Sequence, residues 1–549
     1  MGRVWSVDAI AKNDSTSRYG SLIGLTESPL VEGLIYAGSD DGVINVSEDG
    51  GQNWRAQSRF RGVPEHAYVD DLVASVHSAD VAYAVIDNHK RGDFKPYVMK
   101  TENRGKSWRL ISGDLPTSGP AHSIAEDHVD PKLLFLGTES GVHFSQDGGK
   151  HWHPLEGLPT VAVRDIEIQR REHDLVIGTF GRGIWILDDY RPLRADAKAL
   201  EKAEASLFPV RDAWMYIEGD RWDDRERGSN GAGFYRADNP GYGAVFNYYL
   251  PEAIEPAAKQ RRAAEAEVQK KGGDTPYPSW DALRAEDQEE APSVLLIVRD
   301  AQGEEVRRIA GASAKGFQSV SWDMRLPPPD PVNLEPPKRA DVPYWLSPPM
   351  GPLALPGSYS VQLAVRIKGQ LQEIGAAQPF VVKLLPSSPE ITEDRKALLA
   401  YQLRSSEMLR QLNVMAGVVE GMDTRIAHLK GALILTTKAG EDQEQALRRI
   451  EADLFELKRT LSGDTTVTSR NEAAPWSIND RVTAVFYGQI ESQSMPPKLY
   501  QDSIVIAEQQ MAAARSVLVS LESRLSQLER ALDAQGAPWT PGRKPEAAH

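Results

Sequence analysis

Cysteine is absent from the 549 residues, which removes disulfides, thiol catalysis and thiolate metal sites in one step. Long apolar runs are absent as well. No window approaches the roughly 18 apolar residues of a membrane span, and the start of the chain lacks the apolar core of about 7 to 15 residues that a secretory signal carries. A basic surplus is also missing: 63 Lys and Arg stand against 78 Asp and Glu, for a net charge of −15. Without a basic stripe the chain is not built to neutralise phosphates, which argues against nucleic acid as a partner.

What remains is an ordinary folded composition, 41% hydrophobic and 26% charged, on a chain too long for one hydrophobic core. Two or three domains are expected. From about residue 20 to 193 one unit recurs four times: "LIYAGSDDGVINVSEDGGQNW", "VAYAVIDNHKRGDFKPYVMKTENRGKSW", "LLFLGTESGVHFSQDGGKHW" and "DLVIGTFGRGIWILDD". Each opens with a β-rich apolar run, turns at Gly or Asp, and runs out again with alternating pattern. The spacing of roughly forty to fifty residues is that of a propeller blade.

Three of the copies end in a boxed turn: Ser47, Asp49, Gly51 and Trp54; Thr101, Asn103, Gly105 and Trp108; Ser145, Asp147, Gly149 and Trp152. Short Asp and Asn side chains bond backbone N–H groups one or two positions on, glycine supplies positive φ, and the tryptophan can anchor the turn against a neighbouring sheet. The fourth copy lacks the box and reads as the last blade. Four blades are at the lower limit for closure, so an incomplete ring, completed by further blades or by self-association, is expected to expose an edge and a core face.

The pattern changes after residue 195. Residues 205–386 alternate with period two between Gly and Pro turns, as in an Ig-like β-sandwich, with a helical insertion at about 252–290 and a proline-rich surface loop at 326–352. Residues 392–534 turn helical. Met408, Leu412, Met415, Val419, Met422, Ile426, Leu429 and Leu433 form a heptad seam. Leu447, Ile450, Leu454, Leu457 and Leu461 form a second, and Val517, Leu521, Leu525, Leu528 and Leu532 a third. Together with a shorter helix capped at Ser477 or Asn479 they predict an antiparallel bundle, followed by a disordered tail, 535–549.

The boxes match the S-x-D-x-G-x-x-W Asp-box, or neuraminidase repeat. With "DNHKRGDFKPYVMKTENRGKSW", "SGDLP" and "VIGTFGRGIWILDD", the chain resembles the bacterial sortilin-like, glycosyl-hydrolase-like Asp-box propeller family. That resemblance implies a propeller followed by an Ig-like segment and a helical region. It also implies export to the periplasm or beyond, and further blades ahead of Met1.

The family label suggests glycoside hydrolysis, which needs two carboxyls about 5 to 5.5 Å or 6.5 to 9.5 Å apart. Asp40, Asp41, Asp70, Asp71, Glu139, Asp165, Asp188 and Asp189 are available, with Glu139 and Asp165 the pair to test. Most of these acids sit at turns, where Asp serves turn chemistry. A sialidase would need an arginine triad, and only isolated Arg164 and Arg182 occupy comparable positions. The loop Asp87 to Tyr97 offers His89, Lys90, Arg91, Asp93 and Tyr97, with Arg182, as a polar recognition surface. "AHSIAEDHVDP" would place His122 and His128 on one strand face, but a structural role is the better reading and no metal is assigned. "GTFGRGIWILDD" lacks the helix that a nucleotide loop requires, and Met408, Met415 and Met422 read as core filler, so no cofactor is expected. The sequence therefore points to a non-catalytic binding or scaffolding protein for a peptide, protein or glycan. A glycosidase acting at the propeller centre is the rival.

Overall fold

The computed structural model describes residues 20–217, 239–334, 349–385, 392–438 and 440–543. The first nineteen residues, the middle of the proline-rich stretch and the last six residues of the expected tail lie outside these. The chain divides into two compact units, one made of residues 1–209, 247–253 and 315–317, the other of the remainder.

The first unit is built from four antiparallel meanders in sequence order. Sheet 1 holds β1 (Leu22–Glu27), β2 (Ile35–Ser39), β3 (Ile44–Ser47) and β4 (Arg55–Gln57). Sheet 2 holds β5 (Tyr68–Ala74), β6 (Ala82–Asn88), β7 (Asp93–Thr101) and β8 (Arg109–Leu110). Sheet 3 holds β9 (Ala121–Glu126), β10 (Leu134–Thr138), β11 (Gly141–Ser145) and β12 (His153–Pro154). Sheet 4 has three strands, β13 (Val163–Gln169), β14 (Asp174–Thr179) and β15 (Ile184–Leu187).

Each sheet is apolar on both faces, so each packs on the next. Leu34, Tyr36, Ile44 and Val46 of the first meander meet Val69, Leu72, Ala84 and Met99 of the second. Tyr83, Val85 and Val98 meet Ile124, Leu134 and Leu136, and Phe135 and Val142 meet Val163, Ile166 and Ile177. Burying one such Val, Leu or Ile side chain contributes about 1.5–3 kcal/mol.

The register repeats as well. Pairing with the second strand skips one residue of the first strand in every sheet: Ile23, Asp70, His122 and Arg164. These β-bulges fall inside four matching tetrads, "LIGL", "VDDL", "AHSI" and "VRDI". A bulge re-aims its side chain, which is why polar residues are tolerated between two apolar ones.

The boxed turns form with longer reach than the sequence suggests. Gly51 N–H donates to Ser47 Oγ at 2.8 Å, and Asp49 accepts from Asn53 N–H, four residues on, at 2.9 Å. The other two boxes repeat this: Gly105 on Thr101 and Ser107 on Asn103, Gly149 on Ser145 and His151 on Asp147. Gly51, Gly105 and Gly149 all have positive φ. Trp108 and Trp152 are buried against the preceding sheet, and Trp152 Nε1 donates to Ile111 O at 2.9 Å. Trp54 departs from the expectation: it is exposed, and its indole bonds Gly51 O of its own turn.

The chain leaves sheet 4 through Asp189–Arg194 and a short helix, α1 (Ala197–Lys202), into β16 (Ser206–Leu207), β17 (Ala213–Met215) and β18 (Ala244–Leu250). The insertion is helical as expected, α2 (Ala257–Lys270) and α3 (Trp280–Asp287). Next come β19 (Ser293–Asp300), β20 (Glu305–Gly311), β21 (Gly316–Trp322), β22 (Gly357–Ile367) and β23 (Gln370–Leu384). Five of these strands form one sheet ordered β17-β23-β22-β19-β20, in which β17 runs parallel to β23. Buried Trp322 packs on Tyr359 and Phe380 and donates to Arg325 O at 2.9 Å. The ends of the proline-rich loop are tied where Leu326 N–H meets Pro352 O.

The helices are α4 (Thr392–Leu435), α5 (Glu441–Ser462), α6 (Thr465–Thr468), α7 (Ile478–Ile490) and α8 (Lys498–Ala534), and their seams share one core. Ser477, not Asn479, caps α7, in a capping box with Asp480. In α8 the buried seam uses Leu518 where the heptad reading chose Val517, which is exposed. By length and composition α8 is apolar enough to cross a membrane. Leu518, Leu521, Leu525, Leu528 and Leu532 are nevertheless committed to the bundle core. Within the expected tail, residues 535–543 are described: Arg543 is buried, reaches Asp533 at 3.2 Å, and donates to Ala537 O.

Candidate functional site

The bulge residues of sheets 2, 3 and 4 meet. His122 is almost fully enclosed, with Nδ1 2.9 Å from Asp70 Oδ2 and Nε2 2.9 Å from Glu139 Oε2. Arg164 Nη1 stands 3.0 Å from His122 Nδ1, and its guanidinium is 3.6 Å from Glu139. Burial by itself would lower the His122 pKa, but the two carboxylates outweigh it and hold the ring above its ordinary value, against the opposing charge of Arg164. With both ring nitrogens facing carboxylates, the protonated ring satisfies both.

In sheets 2 and 3 the residue after the bulge fastens the sheet to the next. Asp71 Oδ2 accepts from Ile124 N–H at 3.0 Å, and Ser123 Oγ accepts from Ile166 N–H at 3.1 Å. Burial pushes the Asp71 carboxyl up to about 6, backbone N–H bonds from Ile124 and Leu72 oppose this, and Asp165 and Asp70 add to the rise.

Beside the bulge residues the loop between β6 and β7 turns through His89–Arg91. Asp87 accepts from His89 N–H at 2.8 Å and also faces the His89 ring, while its carboxylate, Asp70 and His122 offer ligand atoms within 4.8 Å of one another. Such a trio has donor types that suit a divalent metal. His122 and His128 are not brought together, because His128 lies past the strand end, stacked on His173 at 4.8 Å.

Two of the five loop residues are spent inside the fold. Tyr97 is buried and its hydroxyl donates to Asp93 at 2.7 Å, and Asp93 also takes Asn88 Nδ2 at 3.1 Å. His89, Lys90 and Arg91 remain at the surface, with Lys90 Nζ 5.0 Å above the Tyr68 ring and Arg91 donating to Glu65 O. Phe94 is exposed between them and Tyr97. Arg182 lies exposed in the β14–β15 turn, where its carbonyl accepts from Trp185 Nε1. Asp165 is exposed on β13.

A second polar cluster escaped the sequence reading. Asp127 is fully buried, gripped by Arg194 through two bonds of 2.7 and 2.8 Å and by Tyr190 Oη at 2.6 Å. Burial alone would raise its pKa, but Arg194 and the hydrogen bonds win and hold it below the usual carboxylate range. The partners sit more than sixty positions apart, so no local motif announces them. The bulge cluster was more accessible: the four tetrads carry it once their shared register is noticed.

No family model matches the chain. An uncharacterized membrane glycoprotein of Saccharomyces cerevisiae is 29% identical over 20% of this chain and 26% of its own length. The chain thus spans about a quarter of that relative. Among solved structures, the GH74 xyloglucanase from Xanthomonas campestris aligns over 65% of this chain and 46% of its own, at 15% identity and a TM-score of 0.27. YCF48 bound to D1 peptide aligns over 31% and 52%, at 14% identity and a TM-score of 0.26. The nidogen and laminin complex aligns over 31% and 62%, at 13% identity and a TM-score of 0.24. These scores are low, and the reading below rests on the sheets themselves.

Proposed function

We propose that the four meanders are Asp-box propeller blades and that their bulge-bearing edge, with the adjoining His89–Phe94 loop, is a non-catalytic binding surface for a peptide, protein or glycan. The observation that carries this is the state of the candidate acid Glu139. It is bound to His122 and flanked by Arg164, so it serves a preorganised polar surface rather than standing ready as a free acid or base. A rigid scaffold with an exposed Lys90, Arg91 and Phe94 suits recognition by loop contacts. Binding to peptide and glycan arrays, compared between the unaltered protein and Lys90→Ala and Phe94→Ala, tests it. Loss of binding with an unchanged circular dichroism spectrum supports the surface, and binding indifferent to both substitutions removes it.

One observation favours a hydrolase as the second reading. Burial pushes the Asp71 carboxyl up to about 6, with Asp165 adding to the rise, and a carboxyl raised toward neutrality is what a general acid requires. Its two backbone hydrogen bonds speak for a structural role instead. A panel of aryl glycosides decides: turnover abolished by Asp165→Asn or Glu139→Gln would establish the hydrolase, and no turnover is the expected result.

A further inference from the structure

The repeated register allows each position to be compared across the four sheets, and the comparison isolates two faces that have no partner among the described residues. On the leading side of the first strand, Val69, Ala121 and Val163 are fully buried against the preceding sheet, whereas their equivalent Leu22 is 42% exposed. Leu72, Ile124 and Ile166 are 3%, 2% and 4% exposed, whereas Leu25 is 63% exposed. Trp108 and Trp152 are 8% and 6% exposed, whereas Trp54 is 45% exposed.

The trailing side of sheet 4 shows the complementary deficit. Ile44, Val98 and Val142 are at most 2% exposed, whereas Ile184, in the same register, is 73% exposed and Ile186 beside it is 59% exposed. The equivalent glycines show what such a face receives. A Cβ on Gly38 would lie 2.4 Å from Val69, and one on Gly137 would lie 2.9 Å from Val163, so each glycine is a socket for the next sheet's tetrad residue. Gly178 occupies the same register on sheet 4, and the three nearest atoms to its Cβ position, at 3.5–3.9 Å, all belong to Asp165 of its own sheet rather than to a following one. Asp165 in turn occupies the position from which Asp71 and Ser123 accept the next sheet's N–H.

Each chain therefore carries both halves of one joint. We propose that a second copy of this chain docks its first sheet on the trailing face of the fourth, head to tail. Leu22 would enter the Gly178 socket, Leu25 N–H would meet Asp165, and Leu25 would cover Ile184. A heterologous contact of this kind closes a ring or grows a fibre depending on its rotation. Four sheets from each of two copies make eight, within the roughly four to eight blades that closed rings use. Two equivalent joints then leave no apolar face exposed at either end.

Light scattering on the full chain tests the proposal. A species of twice the 60.5 kDa chain mass is expected, reduced to monomer by Gly178→Leu, which fills the socket, and weakened about 30-fold or more by Leu25→Asp or Ile184→Asp. These positions are at the surface of a single copy, so an unchanged melting profile is expected for the variant monomers. Because the chain has no cysteine, a mixture of Leu22→Cys and Gly178→Cys chains should form a disulfide-linked heterodimer, while each alone should not. A monodisperse unaltered monomer, open polymers, or a dimer that survives all three substitutions would overturn it.

Discussion

The helical bundle and the sheet array both repeat an apolar position many times, but they differ in where the partner lies. In α4, α5 and α8 the seam positions from Met408 to Leu532 find one another within the same core. In the array, sheets 2 and 3 are covered on both faces, while sheets 1 and 4 each present one face of the same kind to solvent. A repeat thus specifies a joint without specifying that the chain supplies both sides of it. A closed bundle and an open stack follow from the same rule, that buried apolar area stabilises in proportion to what covers it.

Several substitutions would break or sharpen this contrast. The largest effect is expected inside the array, where Asp127→Ala leaves the half-buried Arg194 without its carboxylate and should cost about 3–5 kcal/mol, read as the loss of the array's urea transition. The sign with pH follows from the depressed Asp127 pKa: its contribution is full above the unfolded value and should vanish as pH falls through the folded one. In the bundle, Leu454→Ala deletes a fully committed seam residue and should cost about 2–5 kcal/mol. The same change at Leu25 should shift the monomer by no more than about 0.5 kcal/mol, because that side chain has little cover to lose. Equal costs at the two leucines, measured by denaturation of monomeric protein, would erase the distinction.

Smaller effects test local devices. Ser477→Ala removes the α7 cap and should cost about 1 kcal/mol. His122 contributes through a raised pKa, so its stabilisation is complete below the unfolded value near 6.5 and is lost as pH rises through the folded value. The array's melting temperature should therefore fall between mildly acidic and alkaline buffer, and His122→Gln should flatten that dependence.

Much of this was legible from residue patterns. The three boxed turns, the four meanders, the helical insertion and the leucine seams are local periodicities, and periodicity is set by the geometry of strands and helices. Glu139 was visible as a candidate acid, but its neighbours were not: His122 lies 2.9 Å and Arg164 3.6 Å from its carboxylate. Tyr97 and Asp93 read as a ligand surface and instead satisfy each other. The ion pair of Arg543 with Asp533, ten residues earlier, likewise has no local signature.

By itself the sequence determined the units: which residues form a meander, where each turns, and which face of each helix seeks burial. Those follow from side-chain type and spacing along a few residues of backbone. Only the tertiary structure decided which polar groups meet at the bulges, which buried charges are paired, and which apolar faces stay open. Those depend on the alignment of one sheet with the next, and the groups that meet lie from 17 to 67 positions apart, with no record of the contact in the residues between them.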